Sequence, residues 1–313
     1  MTFFLRIAKF HLLRVQWHSA TTVLDQRQSA MSNPGEKVRQ LTLPILEAFA
    51  QSPAVVGVLC FGSYALDVYD EHSDVDLYVL CAPELMTTAT RHALLTNIQG
   101  VTTLHLAQDH AGWENQWNPQ SDRLVLNGVP IELSYNTQDW LTTVVHKVIE
   151  EGATSLPELR FRPYTMLGLL ANALVLYDPF TVIEQLRARL TPYPARLKEN
   201  LIRQNLAIVT EWSADLQDCA RRNFGASTFL FYLWHISDAL TSLLLAINET
   251  YDPATKRSEK MLKKLAHLPD NFISRYEKVL EGPFTQAGQH VIAAELAKLI
   301  EETKLLIPTQ LQQ

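Results

Sequence analysis

The sequence predicts an α+β protein, a mixed sheet domain followed by an all-α helical bundle. Three observations predict it. Between residues 54 and 135, short segments rich in Val, Ile and Leu alternate with helical stretches and are separated by turn signals. Beyond residue 190 the apolar residues recur at helical spacing, with no convincing strand. A chain of 313 residues that is 47% hydrophobic and 19% charged has enough apolar material for two packed cores. The expected organisation is an N-terminal extension over residues 1–30, a sheet domain over 31–190 and a helical bundle over 191–313.

The extension carries Arg6, Lys9, Arg14 and Arg27 against one acid, Asp25, mixed with Phe3, Phe4, Phe10, Leu12 and Leu13. Charges interrupt its apolar residues, which argues against a secretory signal, although a basic amphipathic start has some transit-peptide character. The preferred reading is an appended helix, or an upstream start with Met31 opening the functional chain at a Ser-Asn-Pro-Gly turn. In residues 36–51, Val38, Leu41, Leu43, Ile45, Leu46 and Phe49 fall near helical spacing, and Ser52-Pro53 stops the run. Residues 54–61 read as a buried strand ending at Gly62-Ser63. A second strand is expected over 74–81, a helix over 83–98 and a weaker strand over 101–107. Residues 123–126 and 129–135 flank Asn127-Gly128, the strongest short hairpin signal. Helices are expected over 196–222, 227–248, 258–267, 271–280 and 286–306.

Composition narrows the function. Lys and Arg number 27 against 33 Asp and Glu, a net charge of −6, so there is no general attraction for a nucleic-acid backbone. Cys60, Cys81 and Cys219 are too few and too scattered for a disulfide framework or a Cys-rich metal site, which fits a reducing, cytosolic compartment. The longest apolar stretches, such as residues 241–247, fall far short of the roughly 20 residues of a membrane span, so no membrane partner is expected.

The chemistry concentrates around Asp74. On a strand, Val75, Leu77, Val79 and Cys81 share one face and Asp74, Asp76 and Tyr78 the other. Burying the apolar face forces two carboxylates side by side opposite it, an arrangement that is unfavourable without a cation. Oxygen donors with room for water suit Mg²⁺, and the absence of a Cys/His cluster disfavours zinc. Upstream, Gly62 permits close approach of a phosphate, and Ser63 reads as a helix N-cap beside free backbone N–H groups. Strand, Gly-Ser, ten residues and Asp-x-Asp on a second strand together suit a nucleoside triphosphate with metal.

The stretch Phe61-Gly62-Ser63-Tyr64-Ala65, continuing through Ser73-Asp74-Val75-Asp76-Leu77, resembles the signature of the nucleotidyltransferase superfamily, which includes DNA polymerase beta and the antibiotic nucleotidyltransferases. Looser similarity to antibiotic-type members with a C-terminal helical bundle extends through Tyr177-Asp178-Pro179 and the segment holding Asn248, Tyr251 and Pro253. The resemblance implies transfer of a nucleoside monophosphate from ATP or another NTP to a hydroxyl, releasing pyrophosphate. It implies two Mg²⁺ ions on Asp74 and Asp76, with Gly62 and Ser63 on the β- and γ-phosphates. It also calls for a third carboxylate on a later strand, as metal ligand or base. Glu132, between Ile131 and Leu133, is the leading candidate, with Asp109, Glu114 and Asp122 as rivals in apparent loops. Two departures concern the phosphate turn: many relatives carry a basic residue where Tyr64 stands and a glycine where Asp67 stands. The acceptor implied is a small molecule, with aminoglycosides or lincosamides leading, or a protein.

The alternative is a catalytically idle binding module, such as the antitoxin partner of a helical RNase. Retention of all three candidate carboxylates counts against it, and the only Arg-x4-His runs from Arg6 to His11, outside the bundle. Trp113 and Trp117 either stack a base or acceptor ring or anchor a loop. Lys256, Arg257, Lys260, Lys263 and Lys264 form a solvated helix face or reach toward a triphosphate. His72 and His105 lack partners at ligand spacing, and Trp234-His235 reads as core.

Overall fold

The structure, a computed structural model, describes residues 34–107, 117–157, 159, 161–252 and 258–311. The expectations for the N-terminal extension, Met31, Asp109, Trp113, Glu114, Lys256 and Arg257 lie outside the described residues. The chain divides into two compact units. The first holds the described residues through Trp140 together with Asn172–Glu184, and the second those of Leu141–Ala171 and Gln185–Gln313. This differs from a single boundary at residue 190, because the chain leaves the sheet unit near Trp140 and returns to it for one edge strand.

In the first unit, α1 (Pro34–Ala50) is followed by β1 (Val55–Phe61), a single turn α2 (Gly62–Ala65) and β2 (Val75–Cys81). Then come α3 (Thr88–Thr96), β3 (Val101–His105), β4 (Gln120–Leu126), β5 (Val129–Thr137) and β6 (Leu174–Tyr177). The six strands lie in the order β3-β4-β5-β2-β1-β6. Only β2 and β5 are parallel; the other neighbours are antiparallel. Asn127 and Gly128, with φ of 51° and 83°, close β4 onto β5 by a two-residue turn. The helix expected from residue 83 begins only at Thr88, where the Thr87 side chain accepts a hydrogen bond from the Thr90 N–H at 3.2 Å. β6, four residues on the sheet edge, is too short to show a strand period; Arg39 of α1 donates to its Leu176 and Val175 carbonyls.

Alternation puts Val75, Leu77, Val79 and Cys81 of β2 with Ile131, Leu133 and Tyr135 of β5 in one buried cluster with Val38, Ile45 and Phe49 of α1 and Leu95 of α3. Within that core sits a fully buried ion pair, Arg91 Nε to Asp122 Oδ2 at 2.8 Å. The rest of the guanidinium donates to Gln120 Oε1 and to the Met86 and Ala107 carbonyls, and Asp122 Oδ1 accepts from the Ala107 N–H at 2.9 Å. Burial pushes the Asp122 carboxyl upward, and Arg91 and the Ala107 N–H pull it back.

The second unit is helical. It contains most of α4 (Gln138–Glu151) and α5 (Thr165–Asn172), followed after α6 (Val182–Ala188) by α7 (Ala195–Arg222), α8 (Ala226–Ile247), α9 (Ser258–Leu262), α10 (Phe272–Glu281) and α11 (Gln286–Lys304). These bounds follow the expected helices closely, except that α9 stops early. Asn223 in the left-handed region ends α7, where its N–H and that of Phe224 return to the Ala220 and Cys219 carbonyls. Arg162 ties the segment before α5 to Asp238 and Ser242 of α8.

Two expectations about α8 are corrected. Trp234-His235 is not core: Trp234 is 56% exposed, and His235 is half-buried against the rings of Trp212 and Phe231. The expectation that apolar stretches such as 241–247 fall far short of a span also understates α8, which is long and apolar enough by length and composition to cross a membrane. Ser237, Asp238, Thr241 and Ser242 break the runs without making the helix polar. Of its most apolar stretch 56% is buried inside the protein, where Leu233, Ile236, Leu240, Leu243 and Leu244 form core.

Candidate active site

The sheet face opposite the core carries the chemistry. Cross-strand register places Phe61 of β1 opposite Asp76 of β2, Asp76 opposite Glu132 of β5, and Glu132 opposite Arg123 of β4. Adjacent strands lie about 4.8 Å apart, so these side chains form a continuous row across four strands. Asp74 precedes the first residue of β2 and is exposed, whereas Asp76 is half-buried. A turn over residues 70–73 delivers Asp74: Asp70 Oδ1 accepts from the His72 N–H and the Ser73 hydroxyl, and Ser73 Oγ accepts from the Asp70 N–H. His72 is exposed in this turn, and His105 is exposed on β3.

Gly62 begins α2 with φ at +77°, and a Cβ built on it would collide with Asp76 Oδ2. Backbone conformation and space therefore both demand glycine, because the turn is pressed onto the Asp76 carboxylate. Ser63 is not the helix cap expected from the sequence. Phe61 occupies the cap position without a side-chain hydrogen bond, and Ser63 lies inside the turn, its carbonyl accepting from the Val68 N–H at 3.0 Å. Tyr64 is buried and stacked on Tyr69 at 4.3 Å, so it packs the turn. Asp67 takes φ of 53°, the left-handed conformation that a glycine would adopt freely. Gly62→Ala should cost about 1–3 kcal/mol from backbone strain, plus the displacement of Asp76. In chemical denaturation the double variant Gly62→Ala/Asp76→Ala should lose less than the sum of the single changes; strict additivity would refute the contact.

Glu132 lies beside Asp76 at the backbone, but its carboxylate turns to β4. Oε1 accepts from the Ser121 hydroxyl at 3.0 Å, and Oε2 from Arg123 Nε at 3.3 Å. Among the described residues no three His, Cys, Asp or Glu side chains are gathered closely enough to hold a metal ion. Asp74 and Asp76 nevertheless offer the oxygen donors that Mg²⁺ takes, with the Gly62 turn against one of them, so this pair fits a hard divalent cation. Ser121 and Arg123 were not singled out from the sequence. The two-residue turn at Asn127-Gly128 was the available signal, since it sets residue 123 opposite 132.

Asp122, expected in a loop, belongs to β4 and faces the core, where Arg91 holds it. This removes it as a rival third carboxylate. Trp117 lies flat on Tyr78 and edge-on to Phe61, and its carbonyl accepts from the Tyr78 hydroxyl at 2.5 Å and from Asn136 at 3.2 Å. It anchors the chain leading into β4, the second of its two expected roles. Burial, with the nearby Asp76 charge, pushes the Cys60 thiol up to about 12. Burial likewise raises Cys81 to about 11, so neither thiol is a nucleophile at neutral pH. Of the basic segment, Lys263 pairs with Glu277 at 2.7 Å, and Lys260 and Lys264 are exposed.

Residues 44–122, which contain the Gly62 turn, Asp74 and Asp76, match the family model for the nucleotidyltransferase domain. Over these residues the chain is similar to nucleotidyltransferase domains. Glu132 lies beyond the matched stretch, on β5, which pairs in parallel with the Asp76 strand. Residues 161–257 match a domain of unknown function, DUF4037. No curated protein matches the chain. Among solved structures, the chain resembles a nucleotidyltransferase-like protein from Exiguobacterium sibiricum 255-15. The identity is 12% and the TM-score 0.43, covering 86% of this chain and 76% of that one.

Proposed function

We propose that the protein is a Mg²⁺-dependent nucleotidyltransferase that moves a nucleoside monophosphate from an NTP to a hydroxyl of a small molecule, antibiotics included, or of a protein, releasing pyrophosphate. The observation that carries this reading is the Gly62 turn pressed onto Asp76, with Asp74 leading into the same strand and Glu132 beside it, the turn and both aspartates lying in the stretch similar to nucleotidyltransferase domains. Mg²⁺ held by Asp74 and Asp76, with Glu132 at hand, would offset the negative charge of the triphosphate and polarise the α-phosphate. Gly62 and Ser63 bind the β- and γ-phosphates. The acceptor oxygen attacks the α-phosphorus, the bond to the bridging oxygen breaks, and pyrophosphate leaves. Glu132 takes the acceptor proton.

The test is a mass-spectrometric search for nucleotidylated products with ATP, GTP, CTP and UTP against a panel of hydroxyl-bearing acceptors. With an acceptor in hand, Glu132→Gln should keep NTP affinity within a few fold while turnover falls about 10² or more, the scale of a lost general base. Near-normal turnover in Glu132→Gln would remove Glu132 from the chemistry. A second reading, an idle binding module, is favoured by one observation: both Glu132 oxygens are already engaged by Ser121 and Arg123. Nucleotidylated product that disappears in Asp76→Asn would exclude it.

A further inference from the structure

We propose that Arg123 is a positioning residue, competing with a divalent cation for the Glu132 carboxylate. The inference rests on the nucleotidyl-transfer reading above and concerns the state of its site before metal and NTP arrive. Both Glu132 oxygens have partners on the β4 side, Oε1 with Ser121 and Oε2 with Arg123. Asp76 lies on the other side of Glu132, one strand away. Glu132 therefore cannot turn to a cation at Asp76 without giving up a β4 contact. Arg123 has a reason to be there: with no cation present, its guanidinium offsets the repulsion between two carboxylates on neighbouring strands. The pair is also built to break. Its side chains are 49% and 24% exposed, and ion pairs in such surroundings are weak enough for a doubly charged ion at Asp76 to displace.

The competition makes a prediction of unusual sign, since removing a pairing residue should tighten metal binding. The probe is Mn²⁺ alone, titrated into the full chain and followed by the loss of the free-ion electron paramagnetic resonance signal. Arg123→Ala should bind Mn²⁺ about two- to five-fold more tightly than wild type, the range that an ion pair of this exposure allows. Arg123→Gln should show the same gain, and Arg123→Lys, which keeps the charge, should stay near wild type. In a Glu132→Gln background Arg123→Ala should add nothing, because the carboxylate in dispute is gone. A gain that persists in that background would reduce Arg123 to a general repulsive charge and overturn the proposal. No gain in Arg123→Ala, with wild-type binding that Asp76→Asn abolishes, would overturn the competition while leaving the metal site standing. Wild type that binds no Mn²⁺, or binding indifferent to Asp76→Asn, would overturn both the proposal and the reading of the site.

Discussion

Asp76→Asn should abolish the rise in melting temperature that Mg²⁺ with a non-hydrolysable NTP is expected to give the wild-type protein. A ligand that binds only the folded state stabilises it by mass action, by about 2.7 kcal/mol at a hundredfold excess over its dissociation constant. The shift is therefore large enough to read in a simple thermal scan. Asp76 is the residue to change because the Gly62 turn bears on its carboxylate and Phe61 and Glu132 flank it in cross-strand register. Its amide variant keeps nearly the same shape and removes one negative charge from beside Asp74. The metal-free variant should accordingly be no less stable than wild type, which separates loss of binding from loss of fold. Turnover, once an acceptor is known, should fall by about 10³ or more, since metal-borne stabilisation of the transition state is worth several kcal/mol. Equal ligand-induced shifts in wild type and variant would sink the assignment of Asp76.

The second large effect is on stability. Asp122→Ala should cost about 3–5 kcal/mol, the range for breaking a buried pair and leaving its partner's charge uncompensated. Arg91 is fully buried, and without Asp122 its charge would face no carboxylate in that network, where the Gln120 side chain, the Thr88 hydroxyl, two backbone carbonyls and the Tyr135 ring surround it. The same change frees the Ala107 N–H, two residues beyond β3. Replacing both partners by apolar residues, Arg91→Met with Asp122→Leu, should restore much of the loss, because neither charge then remains buried. Urea denaturation decides the matter. A cost below 1 kcal/mol for Asp122→Ala would show that the core accommodates a lone guanidinium and that the pair is not what holds β4 to α3. Loss of activity in an Asp122 variant would thus report unfolding, not missing chemistry.

Much of this site was legible in the chain itself. A strand alternates its side chains with period two, so once Val75, Leu77 and Val79 are recognised as core, the direction of Asp76 follows; the same rule places Glu132 between Ile131 and Leu133. The Asn-Gly turn sets Arg123 opposite Glu132 by counting alone. Helical periodicity located α7, α8, α10 and α11 to within a few residues, because each buries one stripe along its whole length. These are local regularities, and local chemistry is sufficient to specify them.

What the tertiary structure alone decided depends on contacts between segments distant in sequence. That β5 lies parallel to β2, bringing Glu132 to Asp76, follows from the order in which strands join the sheet, and no turn or period encodes that order. The Gly62 turn bears on Asp76 only because β1 and β2 pair in the observed register. Asp122 and Glu132 looked alike as acids near one hairpin, yet one faces Arg91 in the core and the other faces Arg123 on the opposite side. Where β4 begins determines that difference, and the sequence marked its end at Asn127 but not its start at Gln120. Trp234 is apolar by composition and exposed in the fold, because the stripe that α8 buries passes through Leu233 and Ile236 instead. A residue's type sets what it gains from burial, and only the packing of the whole chain determines which face is buried.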